Sequence, residues 1–302
     1  MENLSPTLLT IETSEAEELL QSNSETVKFV CATWTMGKDD PKGEDWFKES
    51  HIPGSVYFSI IEIADKSSGF LATLPPKEDF TKEMRRLGLK KSDTIIVYEH
   101  NKIFSGPRAA WMLRIYGAKN VRILNGCLKK WTAEGRATES GDHKDVNDLS
   151  GEGYDFQRDD SMLATLRQTM VKAHEDQSKL WFINLIESDK TNHEFLDARG
   201  QEHFDKSHPY GFKCAHYSKY LDNDTSFKSS EEIKSLLDQE GIDIDKEMIF
   251  SCGGGVVACI TETASIIAGA TNTAIYDGSL QEYQKYGEPD FSVDNWEEKY
   301  PS

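Results

Sequence analysis

The clearest structural pattern in the chain is the segment Met248-Ile249-Phe250-Ser251-Cys252-Gly253-Gly254-Gly255-Val256-Val257-Ala258-Cys259. An apolar run ends in Ser-Cys, three glycines follow, and a second apolar segment continues to Ala270. This pattern predicts a buried strand, a tight loop and a buried helix. Consecutive glycines allow backbone conformations that are closed to other residues, so successive N–H groups can converge on one point.

Cys252 lies at the mouth of this predicted loop. The start of a helix adds partial positive charge and unpaired N–H donors to the same place, which favours a thiolate. A buried structural cysteine beside a turn is the alternative interpretation. Glycine costs about 0.5–1 kcal/mol relative to alanine in regular structure, so we expect that the loop needs the three glycines for its backbone. We therefore predict that Cys252 is a nucleophile carrying a charged adduct, and that Cys259 is a packing residue.

Composition bounds the class of protein. The chain has 302 residues and 37% hydrophobic residues, which suggests two ordinary domains with sizeable cores. A net charge of −18 argues against nucleic acid or an anionic membrane as partner. Five scattered cysteines without a CxxC pair predict neither a disulfide framework nor a metal site, and no cofactor is expected. The N-terminus lacks the features of a signal peptide and no apolar run reaches a membrane span, which predicts a cytoplasmic protein.

Strands and helices alternate along both halves of the chain. Apolar runs at 27–32, 94–98 and 121–124 predict strands, and the spacing over 80–87 and 107–116 predicts helices. Such alternation indicates a mainly parallel sheet with helices on both faces. The polar, glycine-rich stretch 136–160 predicts a linker. For the first strand of the second half we weigh 180–185 against 194–199 and prefer the latter.

The second half repeats the first. Residues 95–99 answer to 248–252, and 124–131 answer to 276–283, with offsets of 153 and 152 residues. We therefore predict two similar α/β domains, at 8–135 and 161–302, joined by the linker 136–160. The first-domain equivalent of Cys252 is Glu99, or His100 within a one-residue error, so only the second domain carries a nucleophile.

Short motifs in both halves resemble the two-domain rhodanese family of thiosulfate and 3-mercaptopyruvate sulfurtransferases. The motifs are His51-Ile52-Pro53-Gly54-Ser55-Val56, Phe104-Ser105-Gly106-Pro107-Arg108, Leu196-Asp197-Ala198-Arg199, the Cys252 to Cys259 stretch and Ile275-Tyr276-Asp277-Gly278-Ser279. The resemblance implies two rhodanese-like domains and a sulfur relay. In that relay Cys252 takes a sulfane sulfur from a small-molecule donor and holds it as a persulfide. It then passes the sulfur to cyanide or to a thiol acceptor such as thioredoxin or glutathione.

The resemblance also bears on the donor. The loop is similar to the Cys-Gly-Ser-Gly-Val-Thr loop of mercaptopyruvate enzymes, with Gly254 and Val257 in place of the serine and threonine. The family continues after Asp-Ala-Arg with two arginines that grip the substrate carboxylate. His203 stands in place of the first arginine and Phe212 or Lys213 near the second. Imidazole or a lone ammonium does not reproduce a bidentate guanidinium clamp, so an altered donor preference is expected.

The candidate substrate-binding residues therefore lie in the loop and after the Asp-Ala-Arg motif. They are Gly253, Gly254, Gly255, Val256, Val257, His203 and Lys213. The resemblance further implies that Ala215-His216-Tyr217-Ser218 replaces the second His-Ile-Pro-Gly turn of the family.

Three functions remain open. The first is a sulfurtransferase that prefers 3-mercaptopyruvate and then thiosulfate. The second is a non-catalytic or regulatory rhodanese-like binding protein, suggested by the missing arginines. The third is a phosphatase or arsenate reductase, disfavoured because that design closes its loop with an arginine for phosphate.

Four further residues have open or structural assignments. His51 is either a proton-transfer group across the domain interface or a structural hydrogen bonder. Trp34 either covers the sulfur site or packs in the core. Asp197 and Arg199 are predicted to form a structural ion pair.

Overall fold

The computed structural model of the chain describes residues 9–22, 25–37, 40–146, 151–166, 168–169, 192–209 and 211–286. Its first sheet has five parallel strands in the order β1-β5-β4-β2-β3. The strands are β1 (Thr10–Ile11), β2 (Val27–Cys31), β3 (Val56–Tyr57), β4 (Thr94–Tyr98) and β5 (Asn120–Leu124). The helices of this half are α1 (Thr13–Gln21), α2 (Gly43–Glu49), α3 (Lys77–Leu87), α4 (Gly106–Ile115) and α5 (Cys127–Ala133).

The second sheet has five parallel strands in the order β6-β12-β11-β7-β8. The strands are β6 (Leu163–Ala164), β7 (His193–Asp197), β8 (Lys213–Cys214), β11 (Glu247–Ser251) and β12 (Thr273–Tyr276), and an antiparallel pair is formed by β9 (Leu221–Asp222) and β10 (Ser226–Phe227). The helices are α6 (Gln201–Lys206), α7 (Ser230–Gln239), α8 (Ala258–Ile267) and α9 (Ser279–Tyr286), with 3₁₀ turns at Asp160–Met162 and Tyr217–Tyr220.

The two sheets have the same strand order, with β6, β7, β8, β11 and β12 in the places of β1 to β5. This confirms the predicted fold class of two similar α/β domains with parallel sheets. The preference for 194–199 as the first strand of the second half is wrong, because β6 precedes it at the sheet edge. A strand of two residues carries no readable periodicity. The rival run 180–185 lies outside the described residues.

Alternating residues of the strands face opposite sides of the first sheet. Ile95 and Val97 pack in the cluster with α3 and α4, whereas Ile96 and Tyr98 pack in the cluster with α1, α2 and α5. The first of these clusters continues through α4 and α8 into the second half. The two halves therefore share one continuous core along the α4–α8 contact.

Local sequence features account for both ends of α3 and for the start of α7. Helix α3 has acidic residues in its first turn and arginines in its last, and it ends at Gly88 in the left-handed region. Helix α7 begins with a capping box in which Ser229 and Glu232 each bind the other's backbone N–H. No helix among the described residues has the length and apolar character that crossing a bilayer requires.

The described parts of the segment predicted as a linker, 136–146 and 151–160, contact the first half. Tyr154 and Phe156 are buried, and the Phe156 ring lies 5.4 Å from that of Phe80. Glu139 exchanges backbone hydrogen bonds of 2.8 and 2.9 Å with His51. Two aromatic side chains thus anchor a stretch that is otherwise polar.

A second copy of the His51 turn is present in the C-terminal half. His51 Nδ1 donates to the carbonyl oxygen of Phe47 at 2.7 Å, and the two rings stack 4.0 Å apart. His208 Nδ1 donates to the carbonyl oxygen of Phe204 at 2.8 Å, and those rings stack 3.9 Å apart. The glycine three residues after each histidine has a positive φ. The prediction that Ala215-His216-Tyr217-Ser218 replaces this turn is therefore wrong, because His208 begins it.

Candidate active site

Cys252 follows the last residue of β11, the middle strand of the second sheet, and α8 begins at Ala258. The loop between them, residues 252–257, thus lies at the carboxyl edge of a parallel sheet, where α/β proteins place their ligands. The helix that the apolar segment predicted is present, but it spans only Ala258–Ile267. The Cys252 residue is 2% exposed, and the neighbouring Gly253 and Gly254 are half-buried.

The start of the loop is held from α9. The carbonyl oxygen of Cys252 accepts a hydrogen bond from the amide of Leu280 at 3.1 Å, and that of Gly253 accepts one from Gln281, also at 3.1 Å. The amide of Cys252 donates to Ser279 Oγ at 3.2 Å. Two carbonyl groups of the loop are therefore directed toward the N-terminus of α9.

The end of the loop is held from the other half of the molecule. Arg108 in α4 donates through Nη1 to the carbonyl oxygen of Gly255 at 3.1 Å. The same guanidinium lies 2.7 Å from Asp277 Oδ1, and the Arg108 side chain is fully buried. A third loop carbonyl is therefore directed outward, toward the interface between the halves.

The orientation of these carbonyls fixes the orientation of the following amides. Since the N–H and C=O of a trans peptide point in opposite directions, the amides of Gly253, Gly254 and Val256 are turned away from Leu280, Gln281 and Arg108. The amides of residues 253–258 have no hydrogen-bond acceptor among the described residues. Several N–H donors of the loop are thus left without an acceptor among the described residues, as an anion-binding nest requires.

The three glycines are not equally required. Gly255 has φ +78°, and a Cβ there would lie 2.6 Å from the carbonyl oxygen of Asp277. A Cβ on Gly254 would meet the flexible Gln281 side chain at 3.2 Å, and one on Gly253 would meet nothing within 4 Å. The expectation that the backbone needs all three glycines is therefore wrong for Gly253. At position 255 the positive φ and the nearby Asp277 carbonyl together require glycine.

The cysteines differ in their environments. The thiol of Cys252 forms no hydrogen bond with a described residue, whereas Cys127, Cys214 and Cys259 donate to backbone carbonyls. Burial raises the pKa of Cys31 to about 12 and raises the pKa of those three cysteines as well. Four of the five cysteines are thus disfavoured as thiolates, and Cys259 is the packing residue that the sequence predicted.

Glu99 is the structural equivalent of Cys252. Its carbonyl oxygen accepts the amide of Leu128 at 2.7 Å, matching the bond between Leu280 and Cys252. Its carboxylate accepts the amides of Phe104 and Ser105, each at 2.8 Å. Burial raises the pKa of Glu99, while these amides act in the opposite direction. In the first half, the loop amides therefore bind a side-chain carboxylate of the protein itself.

Lys213 is not brought to the loop. Its ammonium donates to Glu194 Oε2 at 2.6 Å and to the carbonyl oxygen of Gly241 at 3.0 Å. Glu194 lies three residues before Asp197, which pairs with Ser251 immediately before the loop. At about 3.3 Å per residue, this contact is roughly 10 Å from the carboxyl edge. The structure therefore does not support Lys213 as a substrate contact.

His203 is exposed on α6, and α6 follows the carboxyl end of β7. It is therefore on the same edge of the sheet as the loop. Its carbonyl oxygen accepts a 3.4 Å bond from Arg199. Arg199 also lies 2.6 Å from Asp197 Oδ2, so the predicted structural ion pair is confirmed.

The remaining candidates have local partners. The Nε2 atom of His51 lies 3.2 Å from Glu139 Oε1, so both of its ring nitrogens have a partner. Trp34 stacks on Phe104 at 6.0 Å. These contacts favour the structural interpretation of His51 and the packing interpretation of Trp34.

Every arginine among the described residues already has a partner. Arg85 lies over the Tyr154 ring, and the others form ion pairs: Arg86, Arg108, Arg114, Arg122, Arg136, Arg158 and Arg199. The loop itself contains no arginine, and Arg108 binds a loop carbonyl and not the open amides. This arrangement does not fit phosphate chemistry. The described residues also contain no group of three or more histidines, cysteines or acids that could hold a metal.

Sequence reasoning missed Arg108 as a residue of this site. Arg108 is the last residue of the Phe104 to Arg108 motif, but it is 147 residues away from Gly255 in sequence. A pattern within either half carries no information on a contact between the halves.

Comparisons with known proteins agree with this architecture. A family model described as rhodanese-like domain matches residues 40–134 and 178–286. Thiosulfate/3-mercaptopyruvate sulfurtransferase 2 of Arabidopsis thaliana is 31% identical over 276 residues, which cover 85% of this chain and 79% of the relative. The 3-mercaptopyruvate sulfurtransferase of Mus musculus is 26% identical over 286 residues, covering 90% and 89%. The crystal structure of SseA from Escherichia coli has a TM-score of 0.78 at 24% identity, covers 90% of this chain and 98% of its own, and bears on the fold alone.

Proposed function

This chain belongs to the rhodanese family, and on that premise we propose that it is a sulfurtransferase that carries sulfur as a persulfide on Cys252. The single observation that carries the proposal is the open row of amides beside a thiol that has no hydrogen-bond partner among the described residues. A persulfide anion needs N–H donors and no facing carbonyl. The outward carbonyls of Cys252, Gly253 and Gly255 supply that arrangement.

The reaction is a double displacement. The Cys252 thiolate attacks the outer sulfur of thiosulfate or the thiol sulfur of 3-mercaptopyruvate, and an S–S bond forms. The bond between that sulfur and the rest of the donor breaks with its electron pair leaving on the donor, as sulfite or as the enolate of pyruvate, which then takes a proton. An acceptor thiolate or cyanide then attacks the outer sulfur, and the electron pair of the S–S bond returns to Cys252. The enzyme ends in its starting state without a redox cofactor.

The donor is proposed to be 3-mercaptopyruvate or thiosulfate, with thioredoxin, glutathione or cyanide as acceptor. The name of the relative at 31% identity includes thiosulfate and 3-mercaptopyruvate, and the name of the relative at 26% identity includes 3-mercaptopyruvate. Gly253 to Val257 would line the bound sulfur, and His203 remains the candidate donor contact on the same sheet edge. The cytoplasmic location predicted from the N-terminus stays a prediction.

Steady-state kinetics test the proposal. With 3-mercaptopyruvate or thiosulfate varied against several fixed acceptor concentrations, a double displacement gives parallel lines in a double-reciprocal plot. Cys252→Ser should abolish turnover, because a serine hydroxyl does not form a persulfide, while Cys259→Ser should retain it. Turnover that survives in Cys252→Ser would refute the proposal.

A non-catalytic rhodanese-like binding protein is the second candidate. The observation that favours it is the commitment of every described arginine to another partner, which leaves a donor carboxylate without a guanidinium clamp. This candidate predicts that Cys252 accepts sulfur but does not pass it on at an enzymatic rate. Multiple turnovers with any tested acceptor exclude it.

A further inference from the structure

Arg108 belongs to the first half of the chain, yet its guanidinium is bound to the loop of the second half. The Arg108 side chain is 0% exposed on α4, which packs against α8. Nη1 donates to the carbonyl oxygen of Gly255 at 3.1 Å. Nη2 lies 2.7 Å from Asp277 Oδ1 and also donates to the carbonyl oxygen of Ala72. One planar group therefore joins three segments of the chain around the site, through two backbone carbonyls and one carboxylate.

The surroundings leave the Gly255 peptide little room. A Cβ on Gly255 would lie 2.6 Å from the carbonyl oxygen of Asp277 and 3.3 Å from Arg108 Nη1. The second carboxylate oxygen of Asp277 accepts the amide of Leu74 at 2.8 Å, which fixes this acid as well. Gly255 is thus enclosed between the guanidinium and the chain at Asp277.

We propose that Arg108 is a positioning residue for the Cys252 loop, acting across the interface between the halves. By holding the Gly255 carbonyl outward, it turns the amide of Val256 toward the side on which an anionic sulfur is held. This inference rests on the proposed function. Arg108 contacts no substrate, because it is fully buried, and its charge is matched by Asp277, so its effect is one of geometry.

Loss of the guanidinium leaves the Gly255 carbonyl with a weak donor only, the Cys259 thiol at 3.5 Å. Its loss also vacates the space that Arg108 Nη1 fills beside Gly255, and glycine has the widest choice of backbone conformations, so this peptide can rotate once it is no longer held. Rotation removes an amide from the open row and directs a carbonyl toward the same side. A charge-assisted hydrogen bond from a fully buried guanidinium is strong enough to prevent this.

Arg114 supplies a matched control. It lies on the same helix and also crosses the interface, where its Nη2 is 2.8 Å from Glu262 Oε2. Both side chains are buried, at 7% and 1% exposure. Among the described residues, the hydrogen bond and ion pair of Arg114 are with Glu262 and not with residues 252–257. A variant of Arg114 therefore weakens the interface without releasing the loop.

The test measures alkylation of Cys252 by iodoacetamide in the full chain, with Cys252→Ser as the blank for the other cysteines. Iodoacetamide is neutral and requires the thiolate, but no sulfur donor. We expect Arg108→Met to slow alkylation at least tenfold and Arg114→Met to leave it within twofold. Arg108→Lys should lie between wild type and Arg108→Met, because an ammonium still donates one hydrogen bond but cannot form the fork.

A wild-type rate in Arg108→Met, or equal slowing in Arg114→Met, would overturn the inference. Should Arg108→Met fail to fold, Arg108→Lys carries the test: slowing of threefold or more supports the inference, and an unchanged rate overturns it. Because alkylation needs no donor, slowed alkylation in the Arg108 variants together with absent sulfur transfer in the wild type would count against the proposed function alone.

Discussion

Gly255 and Asp277 approach so closely that a Cβ on Gly255 would lie 2.6 Å from the carbonyl oxygen of Asp277. The same glycine has φ +78°, a conformation that L side chains rarely adopt. Gly253, two residues earlier, has open space around its Cβ position. The Cys252 loop thus contains one glycine that the fold demands and one that it does not.

Gly255→Ala and Gly253→Ala are therefore a matched pair. We expect Gly255→Ala to lower the free energy of unfolding by about 2 kcal/mol or more, because backbone strain and steric overlap combine. Gly253→Ala should stay within about 0.5 kcal/mol of wild type. Urea denaturation of both variants measures the difference. Equal destabilisation would contradict the geometry of this loop.

Glu99→Gln probes the carboxylate that fills the equivalent loop. Burial raises the pKa of Glu99, so its folded state holds a proton more tightly than its unfolded state. The contribution of Glu99 to the free energy of unfolding is largest below the unfolded pKa of about 4.3. It falls as the pH rises toward the higher folded pKa. Glutamine has no such pH dependence. It replaces one acceptor oxygen with an amino group and so loses the amide hydrogen bond to that oxygen, at a cost of about 1–3 kcal/mol at every pH.

The variant should therefore be less stable than wild type at acidic pH, with a deficit that shrinks as pH rises. Each unit by which the folded pKa exceeds the unfolded value narrows the deficit by about 1.4 kcal/mol. Denaturation of both proteins between pH 4.5 and 8 gives the measurement, with Glu231→Gln on the exposed face of α7 as control. A deficit that widens with pH would show that the amides, and not burial, dominate at Glu99.

Lys213→Ala separates a structural role from substrate binding. The ammonium of Lys213 neutralises Glu194, whose side chain is 3% exposed, but Lys213 itself is 48% exposed. Solvent screening of Lys213, together with Lys246 Nζ at 3.8 Å from Glu194 Oε1, limits the loss of stability to about 1 kcal/mol. We expect the KM for 3-mercaptopyruvate to be unchanged. Lys206→Ala, which removes an exposed pair with Glu202, is the control. A severalfold higher KM in Lys213→Ala alone would restore Lys213 as a donor contact.

The repeat was predictable from sequence because the segment from the middle strand to the last helix has nearly the same length in both halves. The offset of 153 residues matched Glu99 to Cys252, and the bonds from Leu128 and Leu280 to their carbonyls confirm it. Cys127 and Ser279 further share a positive φ at the offset of 152. Local pattern was sufficient there, because each element is defined by its own residues.

The second histidine turn was missed because its sequence, His208-Pro209-Tyr210-Gly211, does not contain Ile-Pro-Gly after the histidine. The two turns share a phenylalanine whose carbonyl oxygen accepts a hydrogen bond from the histidine four residues later and whose ring stacks on that histidine. Phe47 and His51 show this spacing, and so do Phe204 and His208. The signal was present in the sequence, and it also places Lys213 at the register of Val56.

The contact between Arg108 and Gly255 had no such signal. It joins residues 147 positions apart across the interface between the halves, and its geometry depends on how α4 packs against α8. The direction of the loop carbonyls depends on the same packing. Sequence therefore identified the thiol and the glycines, but not what orients the amides.

The most direct test of the account is the intact mass of the protein after incubation with a sulfur donor and removal of excess reagent. We expect the wild type to gain the mass of one sulfur atom with 3-mercaptopyruvate or thiosulfate and to lose it on addition of a thiol acceptor. Cys252→Ser should show no gain, and Cys259→Ser should behave as the wild type. A wild type that gains no sulfur from any donor, or a Cys252→Ser variant that still does, would contradict it.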